Sequence, residues 1–164
     1  NYNSPTNTQI ICTVTAGHNL LAGEPVTITG STDYNGTYLV LAAGLSATEF
    51  VVTKSYTQTR TGSVRRPAAL KCLVAGLYYA SFNVSGSCES PNDVFKFELN
   101  KDIIALDNMV ANAIWSTSTN YRSAAASGFA QLTANQYIWL GVKNNSGAGD
   151  LTLRTANVNM RRII

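Results

Sequence analysis

The sequence predicts an all-β protein, a small barrel-like domain followed by a β-sandwich. Three observations point there. Apolar residues come in short alternating runs rich in Val, Ile, Tyr and Phe, which suits half-buried strands. Gly, Asn, Asp, Ser and Pro interrupt those runs at close intervals. Charged residues make up only 13% of the 164-residue chain, where about 25% is usual. A neutral surface of Thr, Ser, Asn and Gly suits β-proteins that pack against copies of themselves or against a larger assembly.

Residues 1–8 (NYNSPTNT) are polar and aperiodic and read as an arm. Over residues 9–64 short strands follow one another: Ile10–Val14, Val26–Thr29, Tyr38–Ala42, Glu49–Thr53, and Gly62–Val64 as a closing strand. Asn35-Gly36 signals a tight hairpin, because that pair supplies the positive φ angles such a turn needs. About five or six strands in so short a unit leave edges to protect, and a closed or nearly closed barrel is the economical solution. Residues 65–69 (RRPAA) read as a linker, with Pro67 breaking strand pairing.

Residues 70–164 predict about eight strands, hence a two-sheet sandwich of jelly-roll type. The run Leu73–Val84 is long and strand-like. Val94–Leu99 alternates strictly, placing Phe95, Phe97 and Leu99 on one face. Asn100-Lys101-Asp102 reads as a hairpin turn into Ile103–Leu106. Ile103, Leu106, Val110 and Ile114 also fall near helical spacing, with Asp102 as a possible cap, but the surroundings favour strand plus irregular loop. Phe129–Leu132, Tyr137–Lys143, Leu151–Thr155 and Val158–Ile163 complete the set, and residues 144–150 (NNSGAGD) form a loop.

The net charge is +3, spread as four bases and three acids over residues 1–66 and eight and six over the rest. No basic stripe forms, which argues against nucleic acid. No apolar run reaches the roughly 18 residues of a membrane helix, so membrane insertion is not expected. No signal peptide is recognisable, and a start at Asn1 is compatible with a removed leader or a longer parent chain. The three cysteines, Cys12, Cys72 and Cys88, match no zinc spacing. Buried thiols suit a reducing cytosol, while Cys72 and Cys88 are candidates to pair in an oxidising one. The sequons at Asn35, Asn83 and Asn144 carry little weight in a chain this rich in Asn, Ser and Thr.

Chemistry is hard to place. The single His, His18, has Glu24 and Asp33 as its nearest acids in sequence and no nucleophile elbow. Asp102 with Asp107 is a chance carboxylate pair, without an aromatic beside it for sugar stacking. Gly-Ala-Gly-Asp at 147–150 lacks the Lys of a phosphate loop. Asp150, or Glu89 with Asp93, offers loop oxygens for calcium, with solvated acids the simpler reading. The expectation is no catalytic residue, no cofactor and no metal. The aromatics Tyr137 and Trp139 share one strand face opposite Ile138, Leu140 and Val142. Apolar residues on both faces mean burial on both sides. Tyr137, Trp139 and Tyr79 are therefore the candidate subunit-interface residues.

Two stretches carry a resemblance. His18 to Gly30 (HNLLAGEPVTITG), followed by Tyr34-Asn35-Gly36-Thr37-Tyr38, resembles a small β-domain of tailed-bacteriophage structural proteins over residues 9–64. Gly76–Phe82, Phe95–Asp102, Gln131–Leu140 and Ala156–Met160 resemble the tumour necrosis factor and complement globular-head jelly rolls and their phage relatives over residues 70–164. Ala134-Asn135-Gln136 stands where those families have a Gly-Asp pair. The resemblance implies a homotrimer without catalytic residues and a virion component. Chain length then favours a capsid decoration (cement) protein on the head surface, contacting the major capsid protein or other virion proteins after assembly in the host cytoplasm. A tail-fibre or head-fibre tip that binds a host-cell glycan or receptor is the alternative. A secreted jelly-roll ligand or lectin-like protein is the second.

Overall fold

Strand-forming side chains punctuated by turn residues produce strands alone in the computed structural model, which describes residues 8–89, 92–115, 121–146 and 149–164. The arm expected over residues 1–8 lies outside them apart from Thr8, as do Gly147 and Ala148 of the last loop. Among the described residues there are twelve strands and no helix, so the fold is all-β. The chain divides into two units, Asn1–Pro67 and Ala68–Ile164.

The first unit contains β1 (Gln9–Thr13), β2 (Pro25–Thr29), β3 (Gly36–Leu39), β4 (Glu49–Thr53) and β5 (Ser63–Arg65). All pairs are antiparallel: β1 with β4, and β2 with both β3 and β5. A bridge between Val40 and Val52 continues β3 onto β4, giving the strand sequence β1-β4-β3-β2-β5. Alternation sends Val26 and Ile28 of β2 and Phe50 and Val52 of β4 inward, where they bury with Ile10, Leu20, Tyr34 and Val40. The Asn-Gly pair does not make the expected tight hairpin. Ile28 pairs with Gly36, so a longer loop spans residues 30–35. Gly30 supplies its positive φ of 70°, and the Asn35 side chain closes it by accepting the Ser31 N–H at 2.8 Å.

The second unit contains β6 (Ala69–Lys71), β7 (Gly76–Cys88), β8 (Asp93–Lys101), β9 (Ile104–Trp115), β10 (Arg122–Leu132), β11 (Tyr137–Asn144) and β12 (Leu151–Arg162). They form two antiparallel sheets, β10-β7-β12 and β6-β11-β8-β9. Between the sheets lie Phe82, Val84, Phe95, Phe97, Leu99, Met109, Leu132, Ile138 and Trp115. The Trp115 ring tilts against Phe97 at 5.4 Å and meets Phe95 edge-on at 6.2 Å.

Several sequence expectations shift here. Leu73 and Val74 are exposed and precede the long strand, which starts at Gly76. The linker is shorter than residues 65–69, because Arg65 ends β5 and Ala69 begins β6. Asp102 and Ile103 make a two-residue hairpin turn, Asp102 at φ 55°, and the return strand runs on to Trp115 in place of loop or helix. The last two expected strands are one, β12, with a bulge between Leu153 and Thr155.

Candidate interaction surfaces

In the first unit, the sheet curls until its two end strands face one another across a gap. Ile10 to Thr13 of β1 form one wall of a groove of about 460 Å³. Val64 of β5 and residues of the segment before it form the other, with Ile28, Ser31 and Tyr34 also contributing. That volume is within the usual range for a binding pocket, about 300–1,000 Å³.

The wall segment is held by one phenol. Tyr34 Oη accepts the backbone N–H groups of Thr57 and Gln58, both at 3.0 Å, and donates to the Gln58 carbonyl at 2.6 Å. Arg60 Nε pairs with Asp33 at 2.7 Å, and that guanidinium holds the Asp33 carboxyl below its usual range. Burial pushes the Cys12 thiol up to about 11, so it stays neutral. The groove thus has an apolar floor, neutral hydroxyl and amide walls, and a single cation already paired.

Backbone polarity runs along the β1 side. Lys54 N–H donates to Thr8 O at 3.0 Å and Val14 N–H to Thr48 O at 2.8 Å. The even-numbered residues of β1 therefore make the ladder with β4. In an antiparallel pair the intervening residues point the other way, so the N–H and C=O of Ile11 and Thr13 face outward. No backbone partner for them occurs among the described residues.

In the second unit, β9 and β10 lie against one another at one side of the sandwich. By the sheet orders, β12 is at the other side together with β6 and β11. That side is incompletely covered. Cross-strand partners share a face. Leu70 pairs with fully buried Ile138 and Val142 with fully buried Phe97, so both face the core, yet they are 37% and 49% exposed. Leu140, Val158 and Met160 pack on the same core and are only half-buried.

The expected interface aromatics do not come together. Tyr137 is buried within the single chain, with the Lys71 ammonium 5.8 Å from its ring centre. Trp139, on the same outward face, is half-buried, and its indole N–H donates to the Asp102 carbonyl. Tyr79 is on the other sheet, 37% exposed, and packs edge-on with Phe129 at 5.6 Å. The sequence reading missed the open side because it weighed aromatics. The pointer available in the sequence was the aliphatic alternation of Leu140 with Val142 and of Val158 with Met160.

The polar candidates have structural tasks. His18 Nδ1 accepts the Leu20 N–H at 3.0 Å, and its ring meets Phe50 edge-on at 5.4 Å. Glu24 Oε2 accepts the Leu21 N–H at 2.9 Å while Oε1 pairs with Arg66. Asp102 accepts the Tyr137 N–H at 2.8 Å and the Gln136 amide at 3.0 Å, whereas Asp107 is exposed. Asp93 Oδ2 accepts from Asn144 Nδ2 at 2.8 Å and from Gly149 N–H at 3.2 Å, holding those two residues together. The Glu89 backbone N–H donates to the Asp150 carbonyl at 3.1 Å. Among the described residues no three His, Cys, Asp or Glu side chains converge as metal ligands would. Cys72 and Cys88 do not pair with one another: Cys72 Sγ donates to the Val74 carbonyl and Cys88 Sγ to that of Trp115, each at 3.2 Å. Compared with models of known protein families and with curated proteins, the chain matches none.

Proposed function

We propose that the protein is a non-enzymatic bacteriophage virion component, a homotrimeric capsid decoration protein whose second unit, a jelly-roll-type sandwich, is the trimerisation unit. The observation that carries the trimer is the uncovered apolar side of that sandwich. Leu70, Leu140, Val142, Val158 and Met160 face a core that one chain does not finish covering. Burying such a strip against a second copy removes apolar area from water at about 25 cal/mol per Å². A ring of three copies closes the contact and avoids open-ended growth. The virion assignment rests on the resemblance of residues 9–64 to a small β-domain of phage structural proteins and of residues 70–164 to the tumour necrosis factor and complement globular-head jelly rolls, which have phage relatives. The charge-poor surface supports it, since a cement protein works by buried interface area, not by chemistry.

The test is co-sedimentation of the purified protein with mature heads of the parent virus that lack surface decoration. Saturable binding that raises the heat resistance of the heads is expected. Association with tails alone, or none with heads, contradicts the capsid role. A trimer that binds host cells and competes with infection would favour the fibre-tip reading.

A further inference from the structure

We propose that the groove between β1 and the 56–64 segment binds an uncharged, extended peptide segment of a partner protein, which adds as a strand to the free edge of β1. This does not depend on the trimer or on a virion role. Four successive residues, Ile10 to Thr13, line the groove, so it runs along the strand edge and does not merely touch it. At about 3.3 Å per residue they offer roughly 13 Å of pairing length. The N–H and C=O of Ile11 and Thr13 face outward at the two-residue period that a paired strand requires.

Side chains supply the selectivity of strand addition, because alternate residues of the guest enter pockets. Ile10, Ile28 and Val64 offer an apolar floor to one face of a guest strand. Ser31 provides an independent sign of a missing partner. It is a groove residue, 4% exposed, and its Oγ is buried with no hydrogen-bond partner among the described residues. Such a hydroxyl is costly to leave unpaired. The charge of the guest follows from the walls. Arg60 is already paired with Asp33, and no other ionised group among the described residues lines the groove, so a charged guest loses hydration without compensation. The edge itself, QIICT, has no charge and no proline, the usual guards against strand addition.

The experiment selects random heptapeptides against the full chain. It then measures the identified peptides, synthesised with both ends capped, by fluorescence anisotropy and amide exchange. Uncharged peptides that bind at micromolar concentration are expected, slowing exchange of the Ile11 and Thr13 amides at least about tenfold. Ile11→Pro removes only an outward donor, which an edge position tolerates, and should weaken binding at least about tenfold. Should that variant fold poorly, N-methylation of alternate peptide amides makes the same test without altering the protein, with the same loss expected. Failure to obtain a binding peptide, a preference for charged peptides, or binding indifferent to N-methylation overturns the proposal. Shifts at Ser31 and Gln58 from a neutral oligosaccharide, with none at Ile11 and Thr13, overturn it in favour of a sugar site.

Discussion

The two units treat their free strand edges in opposite ways. In the second unit β12 is a twelve-residue edge strand, long enough to template pairing with another chain. It carries the devices that discourage this: Arg154, Arg161 and Arg162, and a bulge between Leu153 and Thr155. Two of the arginines are also tied down. Arg154 stacks 4.7 Å over the Tyr121 ring, and Arg162 Nε donates to the Ala75 carbonyl at 3.2 Å. In the first unit β1 is short, uncharged and unbulged, and it borders a groove. A guarded edge beside an uncovered apolar side fits a closed oligomer built by side-chain packing. An unguarded edge beside a groove fits a guest strand.

That contrast can be broken or sharpened by substitution. The largest effect should come from the core of the second unit. Trp115→Ala removes the ring packed against Phe95 and Phe97 and should cost about 3–5 kcal/mol. Because the two units have separate core clusters, native-state hydrogen exchange should show the loss in β7 to β12 and leave β1 to β5 protected. Loss of protection in both units would refute separate cores.

The next effect belongs to the groove wall. Tyr34→Phe leaves the N–H groups of Thr57 and Gln58 without their acceptor, at a cost of about 1–3 kcal/mol. Chemical denaturation reads the cost, and faster exchange confined to residues 54–62 locates it. An unchanged midpoint would mean that water replaces the phenol and that the wall does not depend on it.

A smaller effect is expected from removing the guards. Replacing Arg154, Arg161 and Arg162 together by Val should leave stability within about 1 kcal/mol while promoting association beyond a closed oligomer. Light scattering against concentration reads this, and unchanged scattering would show that the bulge alone protects β12.

The effect that is smallest near neutral pH concerns Cys12. Its thiol is held neutral up to about pH 11, whereas an unfolded cysteine ionises near 9.0. Above pH 9 the unfolded chain therefore binds fewer protons than the folded one. Stability should be fully present below that pH and decline as the pH rises towards 11. Cys12→Ser should flatten that decline. At pH 8 alkylation of Cys12 by iodoacetamide should run roughly a hundredfold slower than for a free cysteine.

Strand existence was legible because a period-two pattern leaves little choice. Val94 to Leu99 forms where alternation places it, since one face is buried, and Glu49 to Thr53 forms as a short apolar run buried through Phe50, Val51 and Val52. Turn geometry was less legible. Asn35-Gly36 favours a tight hairpin locally, yet the loop reaches back to Ser31 and the Asn35 side chain bonds there instead. The candidate surfaces were the least legible. Tyr137 reads as an interface residue on alternation, and only tertiary packing under Lys71 shows it already covered. The β1 groove depends on how far a sheet curls, which no local pattern encodes.

The central claim, self-association through the open side of the second unit, is tested most directly by size exclusion coupled to light scattering. At micromolar concentration the wild-type chain should run at the mass of three chains. Val158→Asp, which places a carboxylate on the uncovered strip, should run as one chain with its far-ultraviolet spectrum unchanged. A wild-type protein at the mass of a single chain, or a Val158→Asp variant that still forms the trimer, would contradict it.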